Sequence, residues 1–218
     1  LDAAIEGLDL TRLEVYVGVS SGAFLAAGLA NRLSTEEICR IFITGDSKDI
    51  SFHPEIFLQP AFGEYLKRTA SIPRIFYDWW RELLADPLGA NLTDAIGRFS
   101  SVIPTGLFNN DEIEKFLRGI FTMHGRCNDF RKLDRKLYVV AVDLDSGEAV
   151  RFGGPKWDDV PISQAIQASA ALPGLYSPVD IRGHHFVDGA LRRTMHASVV
   201  LDHGIDLMIG INPFVPFN

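Results

Sequence analysis

The stretch "VYVGVSSGAF", residues 15–24, constrains the fold more than any other part of the chain. Leu13 to Val19 is dominated by apolar residues without clean alternation, the pattern of a short strand buried on both faces. It stops at Ser20-Ser21-Gly22. The following segment, Gly22 to Arg32, is apolar nearly all round (Ala23, Phe24, Leu25, Ala26, Ala27, Leu29, Ala30), which predicts a buried helix. A strand that turns sharply into a helix brings two backbones close together. Gly18 and Gly22, two residues either side of Ser20, remove side chains expected to collide there. Such a turn pushes Ser20 to its tip in a strained backbone conformation.

Further along, Ser34-Thr35-Glu36-Glu37 has the spacing of a capping box and opens a helix through Phe42. Residues 45–105 are punctuated by Pro54, Pro60, Pro73, Pro87 and Pro104 and are rich in large apolar side chains. They read as a helical insertion or cap, with Trp79 and Trp80 suited either to a membrane interface or to packing on the core. "GLFNNDEIEKFL" supplies an N-cap at Asn109 or Asn110, an acidic first turn and a helix to about Phe121. Leu137 to Val142 is a buried strand with a hairpin partner, Ala149 to Phe152. A helix from Ile162 to Leu172 ends at Pro173-Gly174, and Val179 to Ile181 pairs with His185 to Val187. A helix from Leu191 to Leu201 and a buried strand, Leu207 to Ile211, are expected to close the chain. Strands alternating with helices imply a parallel or mixed sheet with helices on its faces.

A serine hydroxyl is a weak nucleophile unless it is exposed, oriented and deprotonated as it attacks. The predicted turn exposes and orients Ser20. The helix that follows offers free N–H groups to a developing oxyanion, with the Ser21 amide as first donor. A base is still needed. Asp188, in "HHFVDGALRRT", follows an apolar strand end, and Gly189 permits a tight turn after it. Carboxyl ends of strands are where open α/β sheets build their sites.

Three blocks together resemble the patatin-like phospholipase family. "GVSSGA" resembles its nucleophile turn, "QASAALPGLYSPV" its Ala-Ser-x-Ala-x-Pro segment, and "VDGAL" its Asp-Gly-Ala block, the last supported by Gly189 and Ala190. The resemblance spans residues 1 to about 212 and implies one domain over 1–218. That domain is a three-layer α/β/α fold with a central mixed, mostly parallel sheet and the insertion at 45–105. It further implies hydrolysis of lipid acyl esters, of the phospholipase A or lysophospholipase type, by a Ser20–Asp188 dyad through an acyl-enzyme, without cofactor or metal. The family's glycine-rich oxyanion loop has no match in this chain. It is expected upstream of Leu1, because Leu1 to Gly7 resembles the helix that follows that loop.

Other readings stay open at this point. His196 and His203 lie downstream of Asp188, in the order a Ser-Asp-His triad requires, although both sit in or at the end of the predicted helix. A general carboxylesterase and a catalytically silent lipid-binding domain are the alternative functions. Ser169 reads as a helix serine bonded to backbone, and Asp143 as a turn organiser with Asp145. Neighbouring His184 and His185 face opposite sides of a strand and make a poor metal pair. The basic cluster Arg126, Arg131, Lys132, Arg135 and Lys136 is diluted by Asp129 and Asp134 and reads as a solvated face. A net charge of -7 argues against a nucleic-acid partner. The partners expected instead are a phospholipid or other lipid ester, a transient membrane surface, and a second copy in a homodimer. Cys39 and Cys127 fit no metal or redox spacing and read as free thiols. No apolar run approaches the roughly 18 residues that span a bilayer. A cytoplasmic or peripheral-membrane location is expected, with secretion left open because both ends of the chain look cut.

Overall fold

The computed structural model describes residues 5–44 and 106–212. The expected insertion at 45–105, including Trp79 and Trp80, lies outside the described residues, as do residues 1–4 of the helix expected at Leu1 to Gly7. Ile5 to Gly7 form a bend and turn.

Strand β1 (Val15–Val19) runs into helix α1 (Ser21–Ala30) through the single residue Ser20. Helix α1 buries Ala23, Ala26, Ala27 and Ala30 but leaves Leu25 exposed, so it is less buried than its composition suggests. Helix α2 (Thr35–Cys39) begins with the capping box read from sequence: the Glu37 N–H donates to Ser34 Oγ, and the Ser34 N–H to Glu37 Oε2. A π-helical turn, Arg40–Thr44, continues it. After the short strand β2 (Gly106–Phe108) comes helix α3 (Asp111–Phe121), with Asn110 as its N-cap. The Asn110 side chain does not cap the helix; it accepts from Gln167 Nε2 at 3.0 Å.

Strand β3 (Lys136–Asp143) is the centre of the sheet and forms the expected hairpin with β4 (Ala149–Phe152). Helix α4 (Ile162–Ser169) ends three residues earlier than expected. The residue before a proline is pushed out of helical geometry, and here the chain leaves the helix soon enough for the Ala171 carbonyl to accept the N–H of Asp188 at 3.0 Å. Strand β5 (Gly174–Tyr176) pairs with β2 in a small parallel ladder that no sequence pattern announced. Strands β6 (Val179–Ile181) and β7 (His184–Asp188) are joined through Arg182 and Gly183, both at positive φ, as a two-residue hairpin turn requires.

The main sheet is mixed, as expected, and α1 and α4 pack on β3 and on each other as a helical layer. Its balance differs from expectation. Among the described strands of this sheet only β1 and β3 pair in parallel, whereas β3–β4, β3–β7 and β6–β7 are antiparallel. Tight hairpins, which can join only antiparallel strands, account for two of these three pairings.

Two further expectations fail at the C-terminal end. Leu191 to Leu201 is not an α-helix but separate 3-10 turns at Gly189–Leu191 and Ala197–Val199, with a third at Leu201–His203. Leu191, Met195 and Leu201 are exposed while the adjacent Val199 and Val200 are buried, and two neighbours in sequence do not make the face of residues three and four apart that stabilises a short helix. Leu207 to Ile211 forms no strand and is exposed. Apolar composition favours a strand but cannot supply the neighbour that completes its ladder.

Candidate active site

The register of β3 brings the site together. Strand β4 covers Val139 to Val142 along one edge of β3. The same residues also pair with β1 and β7: Gly18 and Val19 lie against Val139 and Val140, while Val187 and Asp188 lie against Val142 and Ala141. A strand has only two edges, so β1 and β7 must share the second one. Strand β1 runs along it with β3 and stops at Val140; β7 runs against β3 and stops at Ala141. Their carboxyl ends therefore point at each other, and the residues that leave those ends are Ser20 and Asp188.

They meet. Ser20 Oγ donates to Asp188 Oδ2 at 2.6 Å, the short distance of a hydroxyl bonded to a carboxylate. The other oxygen, Oδ1, accepts from the Ala190 N–H at 2.8 Å, so the carboxylate is fixed at both ends. Asp188 is buried, at 3% exposure, whereas Ser20 is half-buried. Ser20 holds φ 52° and ψ -126°, a region that costs a non-glycine residue about 1–3 kcal/mol. The strain puts its side chain at the tip of the turn, as the sequence pattern predicted.

The glycines divide into two kinds. A Cβ on Gly18 would lie 2.4 Å from the Ala23 Cα, and one on Gly189 would lie 2.3 Å from the Val140 carbonyl oxygen. Both positions need the bare backbone. Gly22 differs from expectation: a Cβ there would meet nothing within 4 Å, so no collision explains it. It leaves open space beside the first turn of α1. The Ser21 N–H, at the first position of α1, has no acceptor within its own helix, and Ser21 is exposed.

Ser169 has a larger part in this geometry than its sequence suggested. It bonds to backbone, but not in its own helix. Its fully buried Oγ accepts from the Ser20 N–H at 2.9 Å and donates to the Val140 carbonyl at 2.6 Å. The one sequence signal around it was the resemblance of its Ala-Ser-x-Ala-x-Pro block, which says nothing of this contact.

The histidines stand aside from the pair. His196 Nε2 is 3.5 Å from the Gly189 carbonyl, and His203 bonds to the Tyr138 hydroxyl at 3.0 Å. Burial lowers the pKa of His196, outweighing the Gly189 carbonyl, which favours its protonated form. Asp143, Asp145 and His184 bring possible ligand atoms within 4.8 Å of one another. The Asp143 oxygens are already engaged, by the Asp145 N–H, the Ser146 hydroxyl and His184 Nδ1. Burial works to raise the Asp143 pKa, but these three partners outweigh it and hold the carboxyl below its usual value. The cluster is a turn brace of the kind expected for Asp143 and Asp145. Cys39 and Cys127 are free thiols. Among the described residues, no helix is long and apolar enough to cross a membrane.

The family model described as patatin-like phospholipase matches residues 1–201. Among solved structures, the crystal structure of VipD from Legionella pneumophila is similar at 17% identity and a TM-score of 0.38, over 84% of this chain. The chain spans 41% of the length of that protein.

Proposed function

Because the chain belongs to the patatin-like phospholipase family, we propose that it is a lipid acyl hydrolase that cleaves carboxylic esters of phospholipids at Ser20. The observation that carries this reading is the 2.6 Å hydrogen bond from Ser20 Oγ to Asp188 Oδ2, made at a strained turn ahead of a helix N-terminus. As Oγ attacks the ester carbonyl carbon, its proton passes to Oδ2. The carbonyl oxygen becomes an oxyanion that the Ser21 amide, backed by the α1 dipole, stabilises. Collapse of the tetrahedral intermediate expels the lysolipid or alcohol, which takes the proton from Asp188 and leaves an acyl-enzyme on Ser20. Water then attacks this ester and gives its proton to Asp188. The second collapse releases the fatty acid and returns the proton to Oγ.

The two-residue scheme draws support from the carboxylate, whose oxygens are both occupied, by Ser20 and by the Ala190 amide. In a histidine relay the imidazole stands between serine and carboxylate, whereas here Ser20 Oγ bonds Asp188 directly and His196 and His203 face Gly189 and Tyr138. The proposed place of action is the surface of a membrane. The test is fluorophosphonate labelling of the full-length protein and of Ser20→Ala, paired with fatty-acid release from phospholipid vesicles. Labelling and release that both vanish in the variant support the scheme. Release that survives in Ser20→Ala refutes it, and labelling without release from any lipid favours a carboxylesterase of soluble esters.

A further inference from the structure

Ser169 Oγ sits at the junction where β1 and β7 abut, in series between the Ser20 N–H and the Val140 carbonyl. A hydroxyl has one proton. With that proton committed to Val140, only its lone pairs can face Ser20, so the Ser20 N–H must point at them. This sets the plane of the Val19–Ser20 peptide, and through it the direction in which the strained Ser20 side chain leaves the turn. Two residues on, the Ala171 carbonyl accepts the Asp188 N–H at 3.0 Å. One short segment, Ser169 to Ala171, thus grips the backbones of both Ser20 and Asp188. Resting on the proposed role of Ser20 as nucleophile, we infer that Ser169 is a positioning residue: its buried hydroxyl registers the Ser20 turn against Asp188 and holds the Oγ to Oδ2 contact in its reactive geometry.

The arrangement has a chemical consequence. The Ser20 N–H is consumed by Ser169 and does not serve the oxyanion, which leaves the first-turn amides of α1 for that task. Ser169 acts on the rate of attack rather than on substrate affinity, because it touches the turn from the buried side, at 0% exposure.

The experiment compares Ser169→Ala with Ser163→Ala in the full-length protein. Ser163 is an ideal control: it lies on the same helix, is equally buried, and donates its hydroxyl to Glu114 Oε1 at 2.7 Å, away from Ser20 and Asp188. For Ser169→Ala, kcat on a soluble ester and the fluorophosphonate labelling rate should both fall about 10- to 100-fold, with KM changed by less than about twofold, the size of effect that a small misplacement of reacting groups produces. Ser163→Ala should lower the melting temperature while its folded protein labels at the wild-type rate. Should Ser169→Ala fail to fold, Ser169→Cys supplies the test, since a thiol is a weak donor and acceptor of similar size; an intermediate slowing is expected. Wild-type labelling in a folded Ser169 variant overturns the inference, as does an equal slowing in Ser163→Ala. A wild-type protein that does not label at all overturns the nucleophile reading and this inference with it, so the two failures are distinguishable.

Discussion

Val19 and Asp188 pair with adjacent residues of β3, Val140 and Ala141, on the same edge and from opposite directions. A contact between residues 168 positions apart is thereby reduced to a register between neighbours on one strand. The geometry of the Ser20–Asp188 pair is a property of the sheet, and substitutions should report on it in separable ways.

The base should be distinguishable from the histidines. Asp188→Asn keeps an oxygen and an amide where the carboxylate was, so the turn has partners, but it cannot take a proton from Ser20. Ester turnover should fall about 10²- to 10⁴-fold, the usual worth of a positioned base. His196→Ala and His203→Ala should retain turnover within a few-fold. The reverse pattern, with Asp188→Asn active and a histidine variant dead, would establish a triad.

The two glycines flanking Ser20 should behave differently. Gly18→Ala places a methyl 2.4 Å from the Ala23 backbone and 2.7 Å from the Gly22 carbonyl oxygen, and backbone cannot step aside as a side chain can. Overpacking of this kind costs about 1–3 kcal/mol, or a loss on the order of 2–12 °C in a chain of this size. Gly22→Ala meets no atom within 4 Å and gains helix propensity, so its melting temperature should hold or rise. Thermal unfolding of the two variants decides the matter: equal losses would mean that Gly22 is packed after all.

Stability should depend on pH through His196. Burial lowers its folded-state pKa from the ordinary value of 6.5, so the unfolded chain binds the proton more readily. The sign follows from linkage: stability falls as pH drops below about 6.5 and levels off below the folded-state value. His196→Gln removes the titrating group and should flatten the melting temperature against pH below about 6.5. An unchanged slope in that variant would assign the dependence to other groups.

The local devices of this fold were legible in the sequence because their partners are near in the chain. Ser34 finds Glu37 three residues on, and Gly18 faces the Gly22–Ala23 backbone across a single turn. Asp188 was legible as a candidate because it follows an apolar strand end, but an Asp-Gly alone more often makes a turn, and it was the resemblance of the VDGAL block that singled it out. The task of Ser169 was not legible, because its partners are the turn after β1 and strand β3, and Ser20 is 149 positions away. Leu191 to Leu201 and Leu207 to Ile211 misled for the complementary reason. Their apolar residues satisfy a pattern, but Leu191, Met195, Leu201, Leu207 and Ile211 stay exposed, and pattern without a packing partner fixes neither helix nor strand.

Exposed leucines suggest how a lipid surface would be met. Leu25 lies one helical turn beyond Ser21 on α1 and is 48% exposed; Leu172 follows the carbonyl that holds Asp188 and is 42% exposed; Leu191 closes the turn after Asp188 and is 55% exposed. The chain segments that follow Ser20, Ala171 and Asp188 thus each carry an exposed leucine within five residues. In water this exposure is unfavourable, at about 25 cal/mol per Å² of apolar surface, and contact with lipid relieves it. Leu25→Asp or Leu191→Asp should therefore lower the rate on phospholipid vesicles about tenfold, since each variant gives up a leucine whose full burial is worth about 1.5–3 kcal/mol, while leaving the rate on a soluble monomeric ester nearly constant. Vesicle flotation should track the loss. Equal losses on both substrates would instead mean that these leucines support the fold of the site, and the face that meets lipid would have to be sought elsewhere.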